Sequence, residues 1–290
     1  MNTFLTIQVP TEQYSDSMME ELMSMVNQTD KKLNVYTIGS DLYRLQQNAG
    51  YVPIVVDPET FFIIQKGISF SDQSGGVFDI TVGPLISLYC FHDPHPHVPT
   101  QEELDRILPL VSYKDIQMNE EESTVFLPIQ GMYIDLSGIL KGYILDKISD
   151  FFLNHGMDDY YVNFGGNLSI SRDEPLYIGI ENPFQKTTQK GFFLSRGFVS
   201  TSSSTHQYFE QNGVRYSHIV HPLTGSAQPV IASSTVATWS GIESDFLSTY
   251  FFLTGTHPNH EVRSLYFAQS SIFLYHLTEA FEVYAENYSS

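Results

Sequence analysis

The sequence predicts a single domain of the α+β class, and three observations lead to this. Helical and strand patterns are mixed along the chain without the strict alternation of a doubly wound parallel sheet. With 290 residues, 42% of them hydrophobic, the chain is long enough to bury a sizeable core. Neither a repeat with a period of about 20 to 50 residues nor a low-complexity linker divides the sequence. We therefore expect residues 1–290 to form one domain.

The first part of the chain contains a strand followed by helices with recognisable ends. Residues 3–9 alternate as in a strand, and apolar residues then recur at helical spacing over residues 18–26. Asp57 before Pro58 predicts a helix start, with a capping side chain ahead of a proline in the first turn. The Ser74-Gly75-Gly76 turn predicts the end of this helix.

The remaining elements follow from similar patterns. Thr100 and Glu103 predict a capping box at a second helix start, and a long helix is predicted over residues 138–153. Strands are predicted over residues 125–127, 132–136, 160–163, 176–180, 191–199, 215–220 and 233–239. The last part of the chain is expected to contain helices at 243–253 and 260–268 and strands at 272–276 and 280–284.

The charge balance limits the class of ligand. Acidic residues outnumber basic residues by 33 to 14, which gives a formal net charge of −19. This excludes a broad electropositive surface for nucleic acid and disfavours anionic lipid. A phosphate-bearing ligand would therefore need local means of binding, such as a metal ion, backbone N–H groups or one well-placed lysine. The single cysteine, Cys90, excludes a disulfide scaffold and a thiolate metal cluster.

The expected location follows from what the visible sequence contains. No stretch approaches the roughly 18 apolar residues of a membrane span. The start shows no basic region followed by an apolar region, as a secretory signal would. We therefore expect the cytoplasm, with an extracytoplasmic, membrane-tethered location as the alternative if a leader has been trimmed.

Two glycine-containing segments could meet a ligand. In the stretch 74–84, paired glycines precede Asp79 and Thr81, so the backbone could approach a planar ligand closely while two side chains offer hydrogen bonds. The alternative is an ordinary turn after a helix. In the stretch 162–167, two glycines end a strand and Asn167 could read a polar edge, although a hairpin turn explains the pattern nearly as well.

A third segment, 133–143, passes from a predicted strand through Ser and Gly directly into a helix. The helix N-terminus could present N–H groups to an anion, with Lys141 as the counter-charge. The alternative is a strand-to-helix corner with a solvated lysine. The segment has neither the spacing of a P-loop nor the Gly-x-Gly-x-x-Gly dinucleotide fingerprint.

The fourth segment suggests a metal site. Asp245 and Thr249 are four residues apart in a predicted helix and share one face. A carboxylate and a hydroxyl, with backbone carbonyls nearby, form the hard-oxygen set that suits Mg²⁺. The alternative is an acidic residue that favours the helix dipole and a threonine that packs inward. A lone histidine beside a predicted strand, such as His218, is more often structural than functional, and no His-Glu-x-x-His spacing indicates a zinc protease.

Taken together and in this order, the segments resemble the ApbE family of FAD:protein FMN transferases over nearly the whole chain. Each motif is weak alone, but several in the same order are specific. The matching stretches are Met1-Asn2-Thr3, Tyr36 with Ser40-Asp41-Leu42, Ser74 to Pro84, Asp135 to Asp146, Asn163 to Asn167, His218 to Gly225, and Asp245 to Thr249.

The resemblance implies an internally duplicated fold of the T-fold kind, with mixed or antiparallel sheets, packed helices and a ligand site between two interleaved subdomains. It implies transfer of FMN from FAD to a Ser or Thr of an acceptor flavoprotein, with release of AMP. It further implies an FAD pocket lined by Met1, Tyr36, Val77, Phe78, Asp79, Asp135, Lys141, Asn167 and Val220. Mg²⁺ would be bound by the side chains of Asp245 and Thr249 and by backbone oxygens of Gly138 and Ser248. His218 would accept a proton and Lys141 would stabilise phosphate oxygens.

Four residues depart from the family motifs. Ser137 replaces one glycine of a Gly-Gly pair, Leu140 and Phe246 replace alanines, and His221 replaces an aspartate. These changes bear on catalysis more than on flavin binding. Two alternatives to the transferase therefore stay open, a Mg²⁺-dependent FAD pyrophosphatase that yields FMN and AMP, and a non-catalytic flavin-binding protein.

Overall fold

The computed structural model describes residues 3–91, 93–181, 188–204, 207–255 and 272–276. Its helices are α1 (Asp16–Leu33), α2 (Asp41–Gln47), α3 (Pro58–Gln73), α4 (Gly83–Leu88), α5 (Gln101–Ile107), α6 (Leu140–Asn154) and α7 (Gly241–Thr254). Its strands are β1 (Leu5–Gln8), β2 (Ile54–Val55), β3 (Gln117–Asn119), β4 (Thr124–Phe126), β5 (Tyr160–Phe164), β6 (Asn167–Glu181), β7 (Thr188–Ser203), β8 (Tyr208–Gln211), β9 (Val214–Ser217), β10 (Ser233–Thr238) and β11 (Ile272–His276). Single 3₁₀ turns occur at Thr11–Gln13, Leu108–Leu110 and Tyr113–Asp115.

The larger sheet has the strand order β1-β5-β6-β7-β10-β11. Neighbouring strands are antiparallel, except that β10 and β11 are parallel. A doubly wound fold would be built on a mainly parallel sheet. The predicted α+β class is therefore confirmed.

Two compact units can be distinguished in the chain. The first is formed by the described parts of Met1–Val26, Ile139–Thr205 and Val230–Ser290, and it contains the larger sheet with α6 and α7. The second is formed by Asn27–Gly138 and the described part of His206–Pro229, and it contains the small sheet β2-β4-β3 and the hairpin β8–β9. That residues 1–290 act as one domain stays a prediction.

The two faces of the larger sheet differ because successive side chains on a strand point to opposite sides. One face carries a buried apolar cluster of Leu168, Ile170, Ile178, Ile180, Phe192, Leu194, Val199 and Ala237. On the other face, Ser200 and Ser202 of β7 contact α7, and Tyr160 of β5 contacts Ser149 of α6 at 2.6 Å. The residues that carry the candidate chemistry of this unit lie where the helices meet this second face.

Several predicted helix ends are confirmed. Asp57 accepts a hydrogen bond from the amide of Glu59 at 2.9 Å at the start of α3, with Pro58 in the first turn. Thr100 and Glu103 form the predicted capping box of α5. The predicted strand over residues 272–276 is confirmed as β11, whereas the predictions at 260–268 and 280–284 lie outside the described residues.

The strand predicted over residues 132–136 is wrong. Met132, Tyr133, Ile134 and Leu136 are buried, so the run is as apolar as a central strand. The segment instead has no regular secondary structure, and the amide of Asp135 donates to the carbonyl of Ile80 at 2.7 Å. Burial, and not strand pairing, explains its composition.

Other differences are of boundaries and of short elements. The helix predicted from residue 138 begins at Leu140, because residues 137–139 form a turn. The strand predicted over 215–220 ends at Ser217. The sequence pattern does not predict the short elements α2, α4, β2, β3 and β8. In the part of the chain that the structure describes, no helix combines the length and the apolar character needed to cross a membrane.

Candidate active site

Asp245 in α7 is a buried carboxylate with 4% of its surface exposed. Its Oδ1 accepts a hydrogen bond from Nδ2 of Asn167 at 2.7 Å, and its Oδ2 accepts one from the amide of Gly142 at 3.0 Å. Nζ of Lys141 donates to Oδ1 of the same Asn167 at 3.3 Å. The structure thus brings together Lys141, Asn167 and Asp245, with the asparagine amide between the two charges.

The hairpin between β5 and β6 places Asn167 in this cluster. Gly165 and Gly166 form the turn with φ values of +59° and +93°, and two positive φ angles are typical of a type I′ hairpin turn. Asn167 then begins β6 and is fully buried. The hairpin turn, which the sequence offers as the alternative, is present, while a contact of Asn167 with the polar edge of a ligand stays a prediction.

Two glycines let α6 and α7 approach closely. A Cβ atom on Gly142 would overlap the carbonyl oxygen of Gly241, and a Cβ on Gly241 would overlap the carbonyl oxygen of Gly142. The close crossing is what brings the Gly142 amide within reach of Asp245. The lack of side chains at both positions therefore permits the contact between the Gly142 amide and the Asp245 carboxylate.

The two helices also cap each other. Neither Ile139 nor Ser240, the N-cap residues of α6 and α7, caps its own helix with its side chain. Asp245 accepts from an amide in the first turn of α6, and Asp146 of α6 accepts from the amides of Gly241 and Ile242 at 2.5 and 2.8 Å. The amides at a helix start lack partners within the helix, and here a carboxylate from the opposite helix satisfies them.

The carboxyl group of Asp146 has a raised pKa. Burial raises its pKa to about 6, although the hydrogen bonds from Ile242, Gly241 and Ser240 act in the opposite direction. Asp146 is the last residue of the motif that runs from Asp135, but the sequence gives no indication of its partner. It is a functional candidate that sequence reasoning left without a role.

Hydroxyl groups surround the next turn of α7. Oγ of Ser202 lies 2.9 Å from Oγ of Ser248 and 3.2 Å from Oγ1 of Thr249. Oγ of Ser248 donates to the carbonyl oxygen of Asp245 at 2.9 Å. The predicted pair Asp245 and Thr249 is therefore accompanied by two further hydroxyls, and the role of Ser202 could not be read from the sequence.

The atoms around Asp245 and Thr249 that could bind a metal ion are oxygens. Among the described residues, no group of three or more His, Cys, Asp or Glu side chains is arranged to hold a metal, as a zinc site would require. A single carboxylate with hydroxyl oxygens fits Mg²⁺, which takes few protein ligands and completes its shell with water and phosphate. The predicted role of the backbone oxygens of Gly138 and Ser248 stays a prediction.

In the second unit, Asp79 organises a buried turn. Its Oδ1 accepts from the amide and hydroxyl of Thr81 at 2.8 and 2.6 Å, and its Oδ2 accepts from the amide of Tyr113 at 3.0 Å. Burial raises the pKa of Asp79, and the bonds from Thr81 and Tyr113 oppose this rise. Both oxygens of this predicted FAD-binding residue therefore also have a structural task.

The neighbouring predicted residues, Val77 and Phe78, lie in the same turn. Val77 is half-buried and Phe78 is buried. Gly75 and Gly76 before them have φ values of +63° and +83°, which favour glycine. The hydroxyl of Ser74 accepts from the amide of Phe78 at 3.1 Å and closes the turn. The backbone conformation that the paired glycines predict is therefore present.

Tyr36 and Asp135 interact electrostatically. Tyr36 exposes 69% of its surface, but desolvation at its hydroxyl end, followed by the charge of Asp135, raises its pKa. Oδ1 of Asp135 accepts from the amide of Ser137 at 2.7 Å. These two predicted FAD-binding residues are therefore neighbours, while Met1 lies outside the described residues.

His218 is held in a defined tautomer. Its Nδ1 lies 3.1 Å from the carbonyl oxygen of Gln207, which also accepts from the backbone amide of His218. Because a carbonyl oxygen only accepts, Nδ1 must carry a hydrogen, and in the neutral ring Nε2 is then the nitrogen that can take a proton. Val220, by contrast, is buried in an apolar cluster with Leu85, Tyr89 and Ala227.

Comparison with known proteins decides the family. A model described as the ApbE family matches residues 1–265. The chain belongs to the ApbE family. The FAD:protein FMN transferase of Vibrio cholerae is 31% identical over 260 residues, which cover 86% of this chain and 77% of that protein. The FAD:protein FMN transferase of Treponema pallidum is 27% identical and covers 82% and 71% of the two chains.

Solved ApbE structures have the same fold. The ApbE protein of Thermotoga maritima superposes with a TM-score of 0.80 at 26% identity, covering 88% of this chain and 87% of that one. The flavin transferase ApbE of Vibrio cholerae gives a TM-score of 0.77 at 28% identity, covering 87% and 84%. Both confirm the α+β fold, and the family resemblance drawn from the motifs is confirmed as well.

The two bulky departures from the ApbE motifs are accommodated inside the protein. Leu140 opens α6 and is buried, and Phe246 is buried with its ring tilted against Tyr250 at a centroid distance of 6.1 Å. Ser137 is exposed, and its amide donates to Asp135. Lys141 and Asp245, each next to a bulky residue, keep the contacts described above.

His221 makes a contact within its turn that an aspartate at the same position could also make. Its Nδ1 accepts from the amide of Leu223, two residues on, at 3.3 Å, which is where an aspartate oxygen accepts in an Asx-turn. The turn is closed by the amide of Gly225, which donates to the His221 carbonyl at 2.8 Å. Burial lowers the pKa of His221, which favours the neutral ring that this contact needs.

Proposed function

We propose that this protein transfers the FMN part of FAD to a hydroxyl of an acceptor protein and releases AMP. The observation that carries the proposal is the buried Asp245 carboxylate, held between Asn167 and the start of α6 with Thr249 one turn further on. Membership of the ApbE family, whose relatives here are named FAD:protein FMN transferases, supports the same reaction.

The bonds that form and break during FMN transfer determine which groups the active site must supply. A Ser or Thr hydroxyl of the acceptor attacks the FMN-side phosphorus of FAD, a new P–O bond forms, and the bond to the bridging oxygen breaks, so AMP leaves with that oxygen. The hydroxyl proton goes to a base. His218 suits this role because its Nδ1–H is bound to the Gln207 carbonyl and Nε2 can accept.

We propose that Mg²⁺ is held by the side chains of Asp245 and Thr249, with backbone oxygens of Gly138 and Ser248. When bound there, it would neutralise charge on the pyrophosphate as a Lewis acid. The chain's own contribution is to keep the carboxylate in place. The hydrogen bonds from Asn167 and Gly142 restrict its rotation and leave other lone pairs of the two oxygens for a cation.

Lys141 is the cation of this cluster. Its ammonium has three hydrogens and uses one on Asn167, so the others can reach a phosphate oxygen. The amide of Gly142, in contrast, is taken by Asp245. The anion-binding role that the sequence suggests for the start of α6 therefore rests mainly on the lysine. In a chain of net charge −19, such a local cation is needed to hold a phosphate.

For the flavin and adenine groups, we propose Met1, Tyr36, Val77, Phe78, Asp79, Asp135, Asn167 and Val220 as the lining residues. The solvent-exposed ring of Tyr36 supports this, because an exposed aromatic side chain can stack on a planar ligand. The fixed turn around Asp79 supports a close approach of the backbone.

The test is to incubate the purified protein with FAD and Mg²⁺, with and without an acceptor flavoprotein domain, and to follow AMP and FMN by chromatography. Transfer predicts AMP only with the acceptor, together with covalent flavin on it. AMP and free FMN without acceptor would instead establish a pyrophosphatase. Retention of intact FAD in both mixtures would establish a flavin-binding protein.

A further inference from the structure

Two pairs of buried hydroxyls join β7 to α7. Oγ of Ser200 lies 2.7 Å from Oγ of Ser244, and Oγ of Ser202 lies 2.9 Å from Oγ of Ser248. The second pair lies two residues further along the strand and four residues further along the helix. The two pairs are therefore successive repeats of one contact. All four serines are buried. A strand–helix contact of this kind is normally apolar, so the hydroxyls call for a reason.

The direction of the hydrogen bonds in the second pair can be deduced. Oγ of Ser248 donates to the carbonyl oxygen of Asp245 at 2.9 Å, and a carbonyl oxygen only accepts. A hydroxyl has one hydrogen, so Ser248 has none left for Ser202, and Ser202 must donate to Ser248. The hydrogen of Ser202 is then used as well.

The contact between Ser202 and Thr249 must therefore run the other way. Oγ1 of Thr249 lies 3.2 Å from Oγ of Ser202 and has to be the donor. The hydrogens form a directed chain from Thr249 to Ser202, from Ser202 to Ser248, and from Ser248 to the carbonyl of Asp245. The Thr249 hydrogen points towards β7, and the oxygen lone pairs point away from it.

This orientation matters for a cation, which is repelled by a hydroxyl hydrogen and attracted by an oxygen lone pair. We infer that Ser202 is a positioning residue, which holds the Thr249 hydroxyl with its oxygen presented to the divalent metal. The inference rests on the proposed function, since that function places the metal at Asp245 and Thr249. Partners of this kind behind metal ligands typically change metal affinity by about 10- to 100-fold when removed.

The first pair provides a matched control. Oγ of Ser244 donates to the carbonyl oxygen of Gly241 at 2.9 Å, so Ser200 donates to Ser244 by the same deduction. From the strand serine to the carbonyl oxygen, this chain also has two hydrogen bonds between buried groups, but no contact joins it to Thr249. Ser200→Ala and Ser202→Ala therefore remove equivalent hydroxyls from one strand, and only the second touches a proposed metal ligand.

The experiment measures Mn²⁺ binding to the full chain, without flavin, from the loss of the free-ion signal in electron paramagnetic resonance. Thermal unfolding without metal gives a second readout. Ser202→Ala should weaken Mn²⁺ binding by about tenfold or more, while Ser200→Ala should change Mn²⁺ binding by less than about twofold. Both variants should lower the Tm by similar amounts, because each loses one buried hydroxyl. In a Thr249→Val background, Ser202→Ala should have little further effect, because the hydroxyl it positions is gone.

Equal Mn²⁺ binding by Ser202→Ala and the wild type would overturn the inference, and so would equal weakening in the two serine variants. If Ser202→Ala does not fold, Ser248→Ala interrupts the same chain and is judged by the same criteria. Asp245→Ala distinguishes a failure of the proposed metal site from a failure of the positioning role inferred for Ser202. No Mn²⁺ binding by the wild type, or full binding by Asp245→Ala, would contradict the proposed metal site itself.

Discussion

The amide of Gly142 in α6 donates to Oδ2 of Asp245 in α7 at 3.0 Å, although 103 residues separate them in the chain. The contact exists because two glycines allow the helices to cross closely, and Asp146 returns a similar contact to the start of α7. The site carboxylate is thus part of the structure that joins the two helices. Changes at the crossing should affect stability and metal binding together.

Gly142→Ala should be strongly destabilising. The added methyl would overlap the carbonyl of Gly241 and crowd Asp245, and backbone atoms can move little. Overpacking of this kind costs about 1–3 kcal/mol or more, and urea unfolding would measure it. Asp150→Asn, an exposed change on the same helix, should stay within about 0.5 kcal/mol. A Gly142→Ala protein as stable as the control would show that the helices do not cross this closely.

Asp146 should give the stability a specific pH dependence. Its pKa in the folded protein is raised to about 6 from an ordinary value of 3.8. Between these values the folded protein holds a proton that the unfolded chain has lost, so the contribution to stability falls as the pH rises. Above about pH 6 the contribution of Asp146 to the free energy of unfolding is constant.

The measurement compares the free energy of unfolding of the wild type and Asp146→Asn from pH 4 to pH 7. Because the asparagine does not titrate, the wild type should lose stability relative to it over this range. A difference that stays constant with pH would contradict the raised pKa of Asp146.

His221→Asp should restore the ApbE residue without loss of stability. An aspartate oxygen can accept from the Leu223 amide as Nδ1 of His221 does, so the difference should be within about 0.5 kcal/mol at pH 8. His221→Ala removes the acceptor and should cost about 1 kcal/mol. Loss of stability in His221→Asp equal to that in His221→Ala would show that the histidine ring acts in another way.

The stabilisation by His221 should depend on pH. Burial lowers the pKa of His221 below its ordinary value of 6.5, so the stabilisation by the neutral ring is complete above pH 6.5 and is lost as the pH falls below it. The stability advantage of the wild type over His221→Ala should therefore narrow between pH 7 and pH 5. A gap that widens on acidification would contradict this.

His218→Gln should lower kcat for flavin transfer by about 10² to 10⁴ and leave FAD binding nearly unchanged. Glutamine can keep the hydrogen bond to the Gln207 carbonyl but does not accept a proton at neutral pH. The matched control is His155→Gln, because Nδ1 of His155 also bonds a carbonyl, that of Phe151 at 2.8 Å. Single-turnover rates with saturating FAD give the comparison. Equal rates in both variants would remove His218 from the proposed mechanism.

Local signals predicted much of the fold. The proline and cap at the start of α3, the capping box of α5 and the Gly165-Gly166 hairpin are each encoded within a few residues. The strand prediction for residues 132–136 is wrong because burial gives an irregular segment the same apolar composition as a strand. Short-range chemistry thus identifies helix ends and turns more securely than strand pairing, which depends on distant partners.

For the candidate site, the sequence shows which residues share a helix face but not which residues support them. Asp245 and Thr249 share a helix face, which spacing alone reveals. Asp146 and Ser202 act on residues 95 and 47 positions away, and such contacts appear only once the chain has folded. Supporting residues of this kind carry no local pattern, since serine and aspartate are common on helices and strands for other reasons.

The most direct test of the account is the intact mass of an acceptor flavoprotein domain after incubation with FAD, Mg²⁺ and the protein, with Asp245→Asn alongside the wild type. Transfer predicts that the wild type adds the mass of one FMN less one water to the acceptor and that Asp245→Asn adds none. An unmodified acceptor with the wild type, or equal modification by Asp245→Asn, would contradict FMN transfer at this site.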